Sequence, residues 1–255
     1  MVFIHNLNPV IFNLFGFSIY WYSLSYFCGF IFFIFYSKYL IKKKLFNLNI
    51  NIIDNFLTYA IIGVIVGGRL GYVLFYNFEF YISHPLEIFK IWRGGMSFHG
   101  GLLGVVISMF IFAPEKKKFL DLANLISCSS PFGIFLGRVA NFINAELIGK
   151  PTNSDWGVLY SFDNILRHPS QLYEATFEGL LILVILFILI KKNIHIKFNL
   201  FSIFLILYSL FRFFIEFFRE PDMQIGYIFA NITMGQILCI PMFILGFIFL
   251  KYGKN

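Results

Sequence analysis

Apolar residues run along this chain in seven windows of roughly twenty residues, the length one helix needs to cross a bilayer core. The windows fall near 17 to 36, 56 to 76, 98 to 114, 119 to 140, 172 to 190, 199 to 218 and 232 to 250. They predict an all-α polytopic membrane protein with seven transmembrane helices. Glycines recur at intervals of four inside three of the windows, as Gly63, Gly67 and Gly71, as Gly100 and Gly104, and as Gly133 and Gly137. That spacing lets helix backbones approach closely in lipid. Gly94–Gly95 and Gly100–Gly101, which flank Ser97-Phe98-His99, offer backbone turns as an alternative. No internal repeat or low-complexity linker breaks the pattern, so residues 1–255 read as one integral membrane domain. The stretches 77 to 97 and 141 to 171 are long enough to form small caps over the membrane.

Composition sharpens this picture. With 59% hydrophobic and 13% charged residues, and a mean hydropathy of +0.78, the chain is too apolar for a soluble domain. The 37 phenylalanines accompany abundant Ile, Asn and Lys, as an AT-biased genome would produce, and mark no aromatic binding box. A formal charge of +7 would suggest nucleic acid in a soluble protein, but here the lysines sit in short clusters between apolar runs. Topology explains them, and no nucleic-acid partner is expected.

Lys38, Lys42, Lys43, Lys44, Lys116, Lys117, Lys118, Lys191, Lys192, Lys197, Lys251 and Lys254 all fall on one side, twelve in number. The other side holds five, Lys90, Arg93, Lys150, Arg167 and Arg219. By the positive-inside rule the N-terminus is outside and the C-terminus cytoplasmic. No basic n-region or small-residue cleavage site precedes the first apolar window, which is expected to be retained. Cys28, Cys128 and Cys239 stand singly in apolar segments, as free structural thiols would, and no metal site is expected. The chain has no GxSxG, P-loop, HExxH or GxGxxG signature, which argues against hydrolase and nucleotide chemistry.

The ionisable residues inside the windows need a reason, because charge in lipid is costly and usually functional. In that orientation Arg69, His99 and Arg138 lie at outer ends of spans, and His168 and Glu174 flank the outer start of the fifth. Tyr208, Arg212 and Glu216 follow at intervals of four on one helical face, with Arg219 continuing the stripe. Together they predict one cationic pocket opening to the outer leaflet. Arg138, Asn141 and Asn144 recur every three positions and would share a face able to grip an anion. The alternative is that Arg138 merely ends a helix and reaches for lipid headgroups. Arginine forks suit a phosphate better than lysines do, so a phospholipid is the expected ligand, with Glu216 orienting Arg212 and the asparagines meeting headgroup hydroxyls. His99 is the general-base candidate, although a histidine capping a helix start fits the spacing equally well. His5, His84 and His195 read as interfacial or loop residues.

Four runs carry a resemblance. Trp92-Arg93-Gly94-Gly95-Met96-Ser97-Phe98-His99-Gly100-Gly101, Gly137-Arg138 through Gly149, His168-Pro169-Ser170-Gln171-Leu172-Tyr173-Glu174 and Arg212-Phe213-Phe214-Ile215-Glu216-Phe217-Phe218-Arg219-Glu220-Pro221-Asp222, together with Trp21-Tyr22, resemble the prolipoprotein diacylglyceryl transferase family over nearly the whole chain. The resemblance implies an enzyme of the bacterial inner membrane, with its active site facing the periplasm. Its substrates would be phosphatidylglycerol and preprolipoprotein signal peptides, whose lipobox cysteine receives the diacylglyceryl group while glycerol phosphate is released. Apart from the lipid bilayer, no further partner and no metal or organic cofactor is implied. It further implies that His99, Arg212, Glu216 and Tyr208 are catalytic and that Arg138, Asn141, Glu146, Gly149 and Tyr22 bind phosphatidylglycerol. Arg69, His168 and Glu174 would support them. Ala140 and Ala145 stand where the family pattern leads one to expect glycine. The rival reading, a lipid carrier, would need polar residues at both membrane faces and commonly an internal repeat. The inner halves of these spans nearly lack polar residues.

Overall fold

The structure is a computed structural model that describes residues 2–14, 16–91, 94–113, 115–194, 197–221, 226–229 and 231–252. Trp92, Arg93, His195, Asp222 and Lys254 fall outside these, as do the side chains of His99 and Lys116.

Three short strands come first, β1 (Phe3–His5), β2 (Val10–Leu14) and β3 (Phe17–Tyr20), followed by α1 (Trp21–Lys42). Then come α2 (Ile52–Tyr76), α3 (Phe78–Ser83), α4 (Phe98–Phe112) and α5 (Lys116–Ile143). Strands β4 (Val158–Tyr160) and β5 (Leu166–Arg167) lead into α6 (Ser170–Glu174), a π-helical segment (Ala175–Leu181) and α7 (Ile182–Lys191). The chain ends with α8 (Leu200–Ile215), a 3₁₀ turn (Glu216–Phe218), the hairpin β6 (Tyr227–Phe229) and β7 (Ile232–Thr233), and α9 (Met234–Tyr252).

Among the described residues six helices are long and apolar enough to cross a membrane: Trp21–Lys42, Ile52–Tyr76, Lys117–Ile143, Ser170–Lys191, Leu200–Phe218 and Met234–Tyr252. The remaining expected span is α4, whose 15 residues extend about 22 Å against a hydrocarbon core of roughly 30 Å. The first span begins later than its apolar run implies. Residues 17–20 pair with β2 across Gly16, whose φ of 84° suits a hairpin turn, and the Ser18 hydroxyl donates to Asn13 at 2.7 Å. A short apolar run does not by itself distinguish strand from helix, and here the turn decides.

Residues 38–123 form one compact unit. Its centre is the seam between α2 and α4. A Cβ on Gly63 or Gly67 would run into the main chain of Gly104 or Gly100, and one on Gly71 would lie 2.7 Å from the Cα of Gly100. Gly100 therefore belongs to helix packing and makes no turn. Ser97 caps α4 by accepting the Gly100 amide at 3.2 Å. Gly94 and Gly95, with φ of 81° and 79°, do form the turn. Their carbonyls accept Arg69 Nη1 at 2.6 and 3.0 Å, while Arg69 Nε and Nη2 donate to Ile88 and Glu87 at 2.8 and 2.6 Å. The buried guanidinium thus ties the main chain at Glu87 and Ile88 to that at Gly94 and Gly95.

The second unit comprises residues 1–37 and 124–255. Gly29 on α1 faces Gly133 on α5 at ordinary contact distance, and Phe32 stacks on Phe132 with ring centroids 4.3 Å apart. Gly137 departs from the expected packing role, since a Cβ there would meet nothing within 4 Å. The close approach lies elsewhere: a Cβ on Gly179 would stand 2.7 Å from the Phe135 main chain. A small sheet covers one end of this unit. Strand β1 runs parallel to β4, β4 antiparallel to β5, and single bridges Pro151↔Arg167 and Gly149↔Arg219 extend the layer to the end of α8. His5 is buried in this sheet, which corrects its reading as a loop residue. Its Nε2 donates to the Phe142 carbonyl at 2.7 Å and its ring stacks on Tyr160. The sheet thereby ties the N-terminal strand to the exit of α5 and the entry of α6.

Candidate functional site

Four helical segments of the second unit bring ionised side chains together. Arg138 comes from α5, Glu174 from α6, Glu178 from the π-helical segment and Arg212 from α8, with Glu216 and Arg219 just beyond. Glu174 and Glu178 have no exposed surface. Glu174 Oε1 lies 2.5 Å from Arg212 Nη1, and its Oε2 lies 3.0 Å from Arg138 Nε. Arg212 Nη2 lies 2.6 Å from Glu216 Oε2. Glu178 reaches the same two arginines at longer range, 3.4 Å to Arg212 Nη1 and 3.6 Å to Arg138 Nη2. Arg219 Nη1 stands 3.7 Å from Glu174 and 4.0 Å from Glu216.

Breaking such buried pairs one partner at a time is costly, about 3–5 kcal/mol, because the survivor is left as an uncompensated charge. The group is therefore maintained as a set. Among the described residues its formal count is three arginines to three glutamates, where the sequence led one to expect a cationic pocket. The guanidiniums come with their counter-charges already in place. Arg138 keeps 15% of its side-chain surface exposed and Arg212 10%.

Local sequence explains the convergence. Gly179 admits the α5 backbone, which brings the acidic face of the π-helical turn against Arg138. Such wide turns occur mostly as single insertions in α-helices, often at functional sites. Glu216 is fixed from the other side: the Thr233 hydroxyl donates to its Oε1 at 2.9 Å. A Cβ on Gly235 would come within 2.9 Å of the same oxygen. Tyr208, buried on α8, is within electrostatic reach of Arg138, Arg212, Glu174 and Glu178.

A second polar group forms where α5 ends. Asn141 and Asn144 do not share a free face with Arg138, as their spacing suggested. The helix stops at Ile143, and both amides turn to the Glu146 carboxylate, with Nδ2–Oε distances of 3.1 and 3.3 Å. The termination is a Schellman motif: the Glu146 amide donates to the Asn141 carbonyl and the Ala145 amide to that of Phe142. Ala145 takes the left-handed position with φ of 54°, where glycine is the usual residue. Ala140 is buried inside the helix. Gln171, also fully buried, donates to the Glu146 carbonyl at 2.6 Å and so pins the turn to α6.

The remaining candidates are more dispersed. Gly149 presses on His168, whose carbonyl occupies the space a Cβ would need. His168 Nδ1 lies 3.3 Å from the Tyr173 hydroxyl, and partial burial holds its imidazole below the usual histidine range. Tyr22 is half-buried at the start of α1, 3.4 Å from the hydroxyl of Tyr26, which itself feels the charge of Arg138. Arg69 belongs to the unit 38–123, as does His99, whose side chain lies outside the described residues. Cys239 on α9 is closer to the charges than a purely structural thiol was expected to be, within electrostatic reach of Arg212, Glu178 and Glu216.

Sequence reasoning missed Glu178, Thr233, Gln171 and Gln236 as parts of the site. For Glu178 a signal existed: a second acid four residues after Glu174, inside an apolar window. Gln236, fully buried, accepts the Thr233 amide at 3.1 Å and donates to the Phe213 carbonyl at 3.3 Å, contacts that no motif announces.

Fold and site together define a polytopic α-helical membrane protein with a buried ionic site among its helices. Comparison with known proteins makes this specific. The chain belongs to the prolipoprotein diacylglyceryl transferase family, whose model matches residues 9–252. Proteins named phosphatidylglycerol–prolipoprotein diacylglyceryl transferase resemble it throughout. That of Rickettsia bellii is 51% identical over 245 residues, covering 94% of this chain and 93% of its own. That of Rickettsia akari is 51% identical over 246 residues, with 94% and 95% covered. The Wolbachia pipientis wMel protein is 50% identical over 248 residues, with 94% and 93% covered.

Proposed function

We propose that this protein transfers the diacylglyceryl group of phosphatidylglycerol to the thiol of the lipobox cysteine of a preprolipoprotein, forming a thioether and releasing glycerol phosphate. The observation that carries this reading is the agreement with transferases of that name, at about half of the aligned positions over 94% of the chain. The buried arginine pair supplies a physical rationale. The substrate thiolate attacks the glyceryl carbon that bears the phosphate ester, the carbon–oxygen bond breaks, and the leaving phosphate takes the electron pair. Arg138 and Arg212 meet that growing charge.

A free cysteine with a pKa near 8.5 is mostly protonated at neutral pH, so a base has to remove the proton. His99 takes that role, with Tyr208 and Glu216 completing the catalytic set. Arg138 is the principal phosphate ligand, and Asn141, Glu146, Gly149 and Tyr22 bind the rest of the headgroup. Arg69, His168 and Glu174 support them, Arg69 by holding the carbonyls of Glu87, Ile88, Gly94 and Gly95 and Glu174 by joining the two arginines. The nucleophile comes from the peptide and the leaving charge is met by guanidiniums, so the reaction calls for no metal or organic cofactor.

The wider assignment follows from the same reading. α4 serves as a seventh, short span, the N-terminus is outside and the C-terminus cytoplasmic, in keeping with the lysine asymmetry. The chain works as a single domain, 1–255, in the bacterial inner membrane with its active site toward the periplasm. Incubating the purified protein with labelled phosphatidylglycerol and a lipobox peptide tests the function. A thioether-linked lipopeptide is expected; lipid movement across vesicles without product would replace the transferase by a carrier. Labelling of engineered cysteines near Arg138 from one side of the membrane tests the orientation.

A further inference from the structure

We propose that Glu178 is a positioning residue for the lipid phosphate, the counter-charge that Arg138 and Arg212 release when an anionic headgroup arrives. This deepens the function proposed above and rests on it. Among the described residues the set pairs three arginines with three glutamates, and a phosphodiester entering it would add one negative charge in a low-dielectric interior. One carboxylate has to give way.

The distances single out which. Glu174 is held at 2.5 and 3.0 Å, and Glu216 at 2.6 Å with the Thr233 hydroxyl in addition. Glu178 stands at 3.4 and 3.6 Å. Its Oε2 is buried without a hydrogen-bond partner among the described residues, as are those of Glu174 and Glu216, so the longer ion-pair distances are what set Glu178 apart. It is faced by Arg138 from α5, Arg212 and Tyr208 from α8, Glu174 from its own helix and Cys239 from α9. Only a proton on Glu178 is needed to leave the set with one net positive charge, the complement of one phosphodiester. That proton comes from solvent as the lipid binds, and no other bond changes.

Two measurements test this. Phosphatidylglycerol added to the wild-type protein in weakly buffered detergent at alkaline pH should draw about one proton from solution per lipid bound, and KM should rise toward tenfold per pH unit on that side. Glu178→Gln, which carries the neutral shape permanently, should lower KM for phosphatidylglycerol at alkaline pH and flatten its pH dependence, with a smaller change in kcat. A wild-type protein that binds lipid with no proton uptake overturns the proposal, and this arm does not depend on the variant folding. So does a folded Glu178→Gln protein whose KM keeps the wild-type value and slope. Failure of the wild-type protein to form any lipopeptide would instead count against the proposed function itself.

Discussion

Glu174 Oε1 stands 2.5 Å from Arg212 Nη1 with neither group open to more than a sliver of solvent, and the other oxygen of that carboxylate takes Arg138. One acid thus joins two helices that carry like charges. Glu174→Ala should destabilise the fold by about 3–5 kcal/mol, since it takes the nearest carboxylate from two buried guanidiniums, and Glu174→Gln should cost less. Thermal unfolding in detergent measures both. An unchanged melting curve for the alanine variant would remove Glu174 from its place as the joining group.

Arg138→Lys keeps the charge and loses the planar fork. Transfer of lipid to a lipobox peptide should fall about 10²–10³-fold, the range seen when one charge-stabilising donor is removed. Near wild-type rates would refute bidentate recognition of the phosphate by this residue.

His99→Gln should lower the rate at neutral pH by about 10²–10⁴-fold, the contribution of a general base. Raising the pH supplies thiolate without help and should restore much of the loss. A variant as active as the wild type at pH 7 would take His99 out of the mechanism.

The turn after α5 makes a prediction about backbone chemistry. Ala145 holds a left-handed conformation that costs a non-glycine residue about 1–2 kcal/mol, while glycine gives back about 0.4–1 kcal/mol through its freer unfolded chain. Ala145→Gly should therefore raise the melting temperature slightly, and Ala145→Val should lower it. Gly149→Ala should lower it clearly, because the new methyl would meet the His168 carbonyl. Melting without lipid separates that packing role from any loss of lipid binding.

His168 gives a pH signature. Burial holds its pKa below 6.5 in the folded chain, so the unfolded chain binds the proton more readily. Its contribution to stability is full above about pH 6.5 and is lost as pH falls through the folded value. Wild-type protein should lose stability on acidification through this window more steeply than His168→Asn. Equal slopes would show that the imbalance lies at another group.

Much of the architecture was legible in the sequence because spans in lipid are written in long apolar runs. Six of the seven windows became helices of spanning length, and the glycine period of α2 and α4 pointed to the seam that forms there. The same signal failed at Phe17–Tyr20, where a glycine turn outweighs the apolar run, and at Gly137, whose spacing matches a packing motif with no neighbour to pack on. The stripe of Tyr208, Arg212 and Glu216 was visible because it lies on one helix. The contacts joining it to Glu174, Glu178 and Thr233 were not, since they depend on three other segments arriving at the same place. Asn144 misled for a related reason: a helical period was extended past the point where the Schellman turn had already reversed the chain.

The π-helical stretch between Ala175 and Leu181 has a mechanical implication. Holding one residue more than an α-helix would, it clocks α7 by roughly 100° relative to α6. Deleting a single residue there would re-phase the two halves like a gear slipping a tooth. Such a shortened protein would keep both acids and yet present α7 to its neighbours on a different face. Length, as much as composition, is therefore under constraint in that stretch.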